Sequence, residues 1–416
     1  MKILMVNKFL YHRGGAETYA FELAEFLQRQ GHEVQFFGME DPRNVVGNQL
    51  NLNVSQVEFR GSSIKQAAYP LRIVYSREAR EKIRKVLMHF KPDYVHLNNI
   101  NFQLTPSILY EIHAQGIPMI QTLHDFQLVC PNHMMYREHD TMICEECRGR
   151  RYGACVRHRC IHNSRVKSFM GALEGWLYYR MKTYQMIDAF IAPSQFLADK
   201  MVDFGEDAGR IHTIHNFIKR DYDQMHFQKQ DYFLYFGRLS IQKGIPTLMR
   251  VIRSLPEVPF VIAGSGELED EVKQAELPNL KFAGFQTGEA LVKLIGEARA
   301  TLLPTEWYEN CPMSVLESLM VGTPVIGSRI GGIPELVDHD VDGLLFPAAD
   351  EQALRHQVQT LWLQTEKAAA MAVKARQKVE AFSIDGYVEQ LMALVTPLLS
   401  EEADGLVKGT SGRNRL

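Results

Sequence analysis

The stretch from Glu306 to Ser328, EWYENCPMSVLESLMVGTPVIGS, decides the fold. Pro312 stands where a first helical turn tolerates proline. Val315, Leu316, Leu319 and Met320 give one apolar helical face, and Gly322 with Pro324 stops the helix. A short helix therefore starts just after Glu309. Ala300 to Pro304 upstream and Pro324 to Gly327 downstream are apolar runs of strand length, so the unit is strand, loop, helix, strand. In such a parallel sheet, ligands bind at the carboxyl ends of the strands. The free N–H groups of Met313, Ser314 and Val315 are expected to point out of the helix start and favour an anion. Glu309 lies in the loop above them, and Glu317 about one turn inside the helix.

The chain has 416 residues, enough for two or three domains with large cores. Its 46% hydrophobic and 23% charged content is that of a globular protein, and a net charge of −3 argues against a general nucleic-acid binder. Ile3 to Val6, between Lys2 and Lys8, is a first strand and too short for a leader. No apolar run approaches the roughly 20 residues of a membrane span. The expectation is a cytoplasmic protein, at most peripheral on the inner face of a membrane.

Taken in order, Lys2 to Asn7 is a strand, Gly14 and Gly15 lie in the loop after it, and a helix carries Tyr19, Leu23, Phe26 and Leu27 inward. The glycine pair lacks the Gly-x-Gly-x-x-Gly spacing of a nicotinamide or flavin site. Strands are read at Val34 to Phe37, Asp93 to Asn98, Pro118 to Leu123, Asp188 to Ser194 and Ile211 to His215, with a basic helical region over Ile64 to Phe90. His124 and Asp125 close one of these strands, where a crevice ligand would lie, and Asp125 is placed to fix the imidazole tautomer. Polar Asn216 to Asp231 is the natural linker. The second half opens with Phe233 to Phe236 and then Gly237-Arg238, with Lys243 five residues on, so that two cations can converge on one anion. Phe260 to Gly264 leads into a turn carrying Gly264 and Gly266, able to lie under a base or ribose. Leu280 to Ala283 and Gly343 to Phe346 are further strands, and helices follow over about Asp350 to Ala381 and Ile384 to Ser400.

Five of six cysteines fall between Cys130 and Cys160, and Cys144-Glu-Glu-Cys147 has the gap of a zinc knuckle. Reduced structural thiols, a structural zinc and a redox disulfide are all left open by that spacing. The same segment is densely basic, from Arg148 to Lys167, and runs into Phe169, Leu173, Trp176, Leu177, Tyr178 and Tyr179. That composition suits either a membrane interface or a core-facing helix beside a solvated basic loop.

Glu309 and Glu317, within Pro-Thr-Glu-x-x-Glu-x-x-Pro-x-x-x-Leu-Glu-x-x-x-x-Gly-x-Pro-Val-Ile and followed by Gly331-Gly332-Ile333-Pro334-Glu335, resemble the signature of the retaining family 4 glycosyltransferases. The resemblance implies an α/β chain with the GT-B architecture, two doubly wound Rossmann-like domains facing across a cleft. Residues 1–216 would form the acceptor-side domain with a cysteine-rich loop at 130–160, and residues 217–383 the donor domain. The helix at 384–400 would pack back on the first domain, and 401–416 would be a frayed tail. It further implies hexose transfer from a nucleotide diphosphate sugar, UDP- or GDP-linked, to a glycan acceptor of lipid-linked type in surface-polysaccharide assembly, with an anionic membrane surface as a further partner. Glu309 and His124 would contact the hexose. Arg238, Lys243, Gly14 and Gly15 would face the diphosphate with Met313, Ser314 and Val315, and Glu317 would hold the ribose. Gly264 and Gly266 would lie by the nucleoside, and Phe285 near the base. With two fixed cations on the diphosphate, no cofactor is required for catalysis. A subset of the family carries a similar cysteine-bearing loop, which implies Cys130, Cys144, Cys147 and Cys160 as the ligands of a structural zinc. A GT-B sugar-nucleotide epimerase and a non-catalytic sugar-nucleotide sensor or partner subunit are the alternatives. One departure is Asn216-Phe217-Ile218-Lys219, where the family has Asn-Gly-hydrophobic-Asp.

Overall fold

The computed structural model describes residues 1–56, 74–219 and 225–410, with side chains to Ser400. The helical region expected before Val74, part of the linker and the last six residues lie outside the described residues.

Among the described residues, eight strands occupy the first half: β1 (Lys2–Val6), β2 (Glu33–Phe37), β3 (Tyr94–Leu97), β4 (Met119–Thr122), β5 (Tyr136–Arg137), β6 (Met142–Ile143), β7 (Ala189–Ala192) and β8 (Ile211–Thr213). Six of them form a parallel sheet in the order β2-β1-β3-β4-β7-β8, and β5 with β6 makes a small antiparallel hairpin. The second half holds β9 (Phe233–Arg238), β10 (Phe260–Ser265), β11 (Leu280–Gly284), β12 (Ala300–Leu303), β13 (Val325–Ser328) and β14 (Gly343–Phe346), parallel in the order β11-β10-β9-β12-β13-β14. Both sheets are doubly wound, and the strand order reverses beside β1 in one and beside β9 in the other.

Each sheet is buried on both faces, which is why its strands read as continuous apolar runs rather than alternating ones. In β1, Ile3 and Met5 enter one core while Leu4 and Val6 enter the other; in β9, Phe233 and Tyr235 part in the same way from Leu234 and Phe236. Five helices matter below: α1 (Gly15–Arg29), α2 (Arg165–Arg180), α3 (Gln195–Asp203), α4 (Met313–Met320) and α5 (Ile384–Thr410).

Helix α5 continues by ten residues into the polar segment expected to fray. Its Tyr387, Leu391 and Val395, at helical spacing, share one core with Ile3, Met5 and Tyr19, so the first part of α5 is packed on the first sheet. The Tyr387 hydroxyl meets that of Tyr19, which also reaches Thr122 Oγ1 at 3.0 Å. The chain crosses between the halves twice at one place. Ile218 N–H donates to Phe382 O at 3.0 Å, and Ile218 bridges Ser383 in parallel.

Leu391 is fully buried in this shared core. Leu391→Ala is expected to cost about 2–5 kcal/mol, read by chemical denaturation. A change below about 0.5 kcal/mol, as at an exposed site, would mean that α5 is not docked.

Candidate active site

A cleft of about 780 Å³ lies between the two sheets at their strand-order reversals. The first half contributes Gly14 from the loop between β1 and α1, Gly15 at the start of α1, and His124 and Asp125 just past β4. From the second half come Arg238 at the end of β9, Lys243, Gly264 in β10, Trp307 to Ser314 after β12, and Glu317 in α4. A Cβ on Gly15 would sit 3.5 Å from Met313 Cγ, so the starts of α1 and α4 are in contact range across the cleft.

Glu309 is buried, and three hydrogen bonds converge on one of its oxygens. Oε1 accepts from Lys243 Nζ at 2.5 Å, Trp307 Nε1 at 2.8 Å and Thr305 Oγ1 at 3.2 Å. The Lys243 ammonium also lies 5.4 Å from the centre of the Trp307 ring. Lys243 and Glu309, expected on different parts of a ligand, are thus an ion pair here. Trp307 and Thr305 were not singled out in the sequence because only the folded loop turns them onto the carboxylate. Arg238 lies on the cleft wall, exposed, with no carboxylate partner among the described residues.

At the start of α4, Val315 N–H donates to the Pro312 carbonyl at 3.0 Å, and the Val315 side chain is buried in the core. The expectation of three outward N–H groups is therefore corrected: Val315 is in use, while Met313 and Ser314 line the cleft. The Glu317 carboxyl is pushed up to about 7 by burial, with repulsion from Glu22 of α1 adding to it.

His124 Nε2 donates to Asn98 Oδ1 at 2.8 Å, and its backbone oxygen accepts from Asn310 Nδ2 at 3.1 Å, tying this strand end to the Glu309 loop. Burial pushes the imidazole down to about 4, against the opposing pull of Asp125, so it is neutral near pH 7. Asn98, not Asp125, holds the ring, which corrects the expected tautomer partner. Asp125 pairs instead with His133 at 3.6 Å and accepts from Gln127 N at 2.8 Å. Burial alone would raise the Asp125 carboxyl, but His133, the Gln127 N–H and His124 together outweigh it and the carboxyl stays below its ordinary range.

Gly264 is in the cleft, whereas Gly266 is not among the lining residues. A Cβ on Gly266 would fall 2.3 Å from Leu239 O, so that glycine serves the packing of two turns rather than a ligand. Phe285 lines the cleft and is largely exposed. One pattern overlooked in the sequence, Asp338-x-Asp340-x-Asp342, has the spacing of a metal–nucleotide motif. It lies away from the cleft lining, and its carboxylates pair with Lys378 at 2.8 and 3.1 Å and with Lys367 at 2.7 Å.

The cysteines gather around the β5–β6 hairpin, where Cys130, Cys144, Cys147 and Cys160, the expected zinc ligands, lie close enough to raise one another's thiols. Among the described residues, no group of three or more His, Cys, Asp or Glu side chains is arranged to hold a metal ion. Cys130 Sγ donates to Asn132 Oδ1 at 2.9 Å, and burial pushes the Cys130 thiol up to about 11 and the Cys147 thiol up to about 12. Cys147, Cys155 and Cys160 pack with Tyr152 and Ala172 as a small apolar cluster, and no disulfide forms. No helix among the described residues is long and apolar enough to cross a membrane.

Two family models match the chain. One described as Glycosyltransferase Family 4 spans residues 13–222, just over half of the chain, and one described as Glycosyl transferases group 1 spans 219–378. The chain is 23% identical over 375 residues to an uncharacterized 42.6 kDa protein in the cps region of Klebsiella pneumoniae, covering 83% of this chain and 93% of that protein. It is 32% identical over 158 residues to the amylovoran biosynthesis glycosyltransferase AmsK of Erwinia amylovora, a match to 35% of this chain and 39% of that protein. Among solved structures, HepE of Anabaena in complex with UDP-glucose superposes with a TM-score of 0.64 at 18% identity, covering 96% of this chain and all of that one. The shared architecture is GT-B.

Glu317 yields a pH prediction. A carboxyl raised from 4.5 to about 7 on folding takes up a proton, so its contribution to stability is complete below about pH 4.5 and is lost as pH rises through 7. Glu317→Gln is therefore expected to match the wild type in melting temperature near pH 4.5 and to exceed it at pH 8, by the equivalent of about 1–3 kcal/mol. A difference that does not change with pH would refute the assignment.

Proposed function

This chain belongs to glycosyltransferase family 4, and on that premise we propose that it transfers a hexose from a nucleotide diphosphate sugar to a hydroxyl of a lipid-linked glycan, with retention at the anomeric carbon. The observation that carries this reading is the convergence of Arg238, Lys243, Glu309, Glu317 and the start of α4 on one cleft. The UDP-glucose held by HepE and the amylovoran role of AmsK support a UDP- or GDP-sugar donor and a role in surface-polysaccharide assembly. Such acceptors place the enzyme at the cytoplasmic face of the membrane.

Chemically, the bond from the anomeric carbon to the diphosphate oxygen breaks as the bond to the acceptor oxygen forms on the same face. The acceptor proton passes to a phosphate oxygen of the leaving group, so the chain supplies no nucleophile. Positive charge grows on the sugar and negative charge on the diphosphate, and fixed groups aimed at those changes lower the barrier. Arg238, Lys243 and the Met313 and Ser314 N–H groups receive the diphosphate. Lys243 neutralises Glu309. An entering diphosphate competes for that ammonium and leaves the carboxylate able to accept from hexose hydroxyls. Neutral His124 can contact the sugar without adding a cation beside the developing oxocarbenium. Glu317 takes the ribose hydroxyls.

A thermal-shift and hydrolysis panel of UDP-, GDP-, ADP- and dTDP-sugars tests this. One nucleotide class is expected to stabilise the wild type and not Glu317→Ala, while Lys243→Ala lowers turnover by about 10²–10³-fold, as for loss of an anion-stabilising donor. If no nucleotide sugar binds at millimolar concentration, the transferase reading falls. Binding with release of free nucleotide and sugar rearrangement, but no glycosylated product, would identify an epimerase instead.

A further inference from the structure

Helix α2 turns its large apolar side chains outward. Its inward face is small or polar, with Ser168, Gly171, Ala172, Glu174 and Tyr178 buried. Its outward face is apolar: Val166 is 73%, Phe169 55% and Trp176 53% exposed, with Leu173 and Leu177 half-buried between them. Steps of three and four residues put these five on one stripe. The helix cannot simply roll the stripe inward. A Cβ on Gly171 would fall 2.5 Å from Ile161 Cδ1, and one on Gly175 3.1 Å from the Tyr152 ring, so its back is fitted closely to the cysteine-bearing segment.

Along the helix and its flanks in sequence, the exposed charge has one sign. Between residues 159 and 182, Arg159, Arg165, Lys167, Arg180 and Lys182 are all exposed, and none pairs with a carboxylate among the described residues. The one acid in that span, Glu174, faces the other way, into a polar cavity of about 140 Å³ beside the helix. That cavity shares His133 with the wall of the donor cleft, so the polar flank of α2 leads towards the reaction site.

We propose that α2 lies in the interface of an anionic lipid bilayer, with Val166, Phe169 and Trp176 inserted and the five cations on the headgroups, holding the cleft at the surface where a lipid-linked acceptor resides. This rests on the transferase reading above and supplies its missing partner. Tryptophan and phenylalanine on one face of a helix flanked by lysine and arginine is the composition that bilayer interfaces select. A second copy docking through the same face would set this cationic patch against itself.

The test is flotation of the full chain with vesicles of phosphatidylcholine, alone or with about one-third phosphatidylglycerol. Wild type is expected to float with the anionic vesicles at least about tenfold more than with the neutral ones, and less so in high salt. The double variant Phe169→Glu/Trp176→Glu is expected to lose flotation while keeping the nucleotide-sugar thermal shift, which shows fold and donor site intact. Equal or absent flotation of wild type, or unchanged flotation of the variant, overturns the proposal. So does light scattering in which the wild type is a dimer and the variant a monomer, because the stripe is then covered by a second copy. Loss of the nucleotide-sugar shift in the wild type would instead count against the transferase reading.

Discussion

The loop from Pro304 to Asn310 is gripped by backbone on backbone, and the site depends on that grip. A Cβ on Gly244, whose φ is +74°, would lie 1.8 Å from Pro304 O; one on Gly331, at φ +61°, would lie 2.1 Å from Glu309 O. Gly332 N–H donates to Glu309 O at 2.8 Å, and Glu306 N–H to Gln242 O at 2.9 Å. No side chain could stand in these gaps. The Glu309 carboxylate is therefore fixed before any ligand arrives, and Lys243, next to Gly244, is delivered to it. Preorganised charge of this kind avoids reorganisation during the reaction.

Much of this could be read from the chain because its causes are local. Strands buried on both faces announce themselves as short apolar runs, and all twelve strands of the two main sheets fall on stretches recognised that way. Pro312 and Gly322 bracket α4 by the chemistry of helix ends. Partnership is what could not be read. The contact of Lys243 with Glu309 spans 66 residues, and that of Asn98 with His124 spans 26, and in each case the partner is chosen by where a strand end comes to rest. Asp125 adjoins His124 in sequence, yet its side chain turns to His133. Val315 looked free because helix starts leave N–H groups open, but a turn to the Pro312 carbonyl uses its own. The β5–β6 hairpin escaped notice because two-residue strands among cysteines and charges carry no periodicity.

The segment Gly331 to Glu335 also serves the boundary between the domains. While its glycines lie on the Glu309 loop, the Glu335 carboxylate accepts from Gln195 N at 2.7 Å and Phe196 N at 2.8 Å at the start of α3, and meets His215 Nε2 at 3.0 Å. Those contacts to the helix start and to His215 outweigh burial and hold the Glu335 carboxyl below its ordinary range. A piece of the second domain thus closes a helix end of the first through the chemistry by which the cleft would hold a phosphate.

The two chain crossings at Ile218 and Ser383 run side by side, hydrogen-bonded to one another. Phe217 is buried against Tyr19 and Tyr387, and Lys219 reaches Glu25 of α1. Two covalent links at one edge, joined in parallel, resist sliding and separation but leave a turn about their common line. The molecule is bound like a book along a single spine, with Phe217 as the stitch on the first page. To open the covers about that line, the molecule has to release the Glu335 contacts at the start of α3 and the hydrogen bond from Asn310 to His124 O.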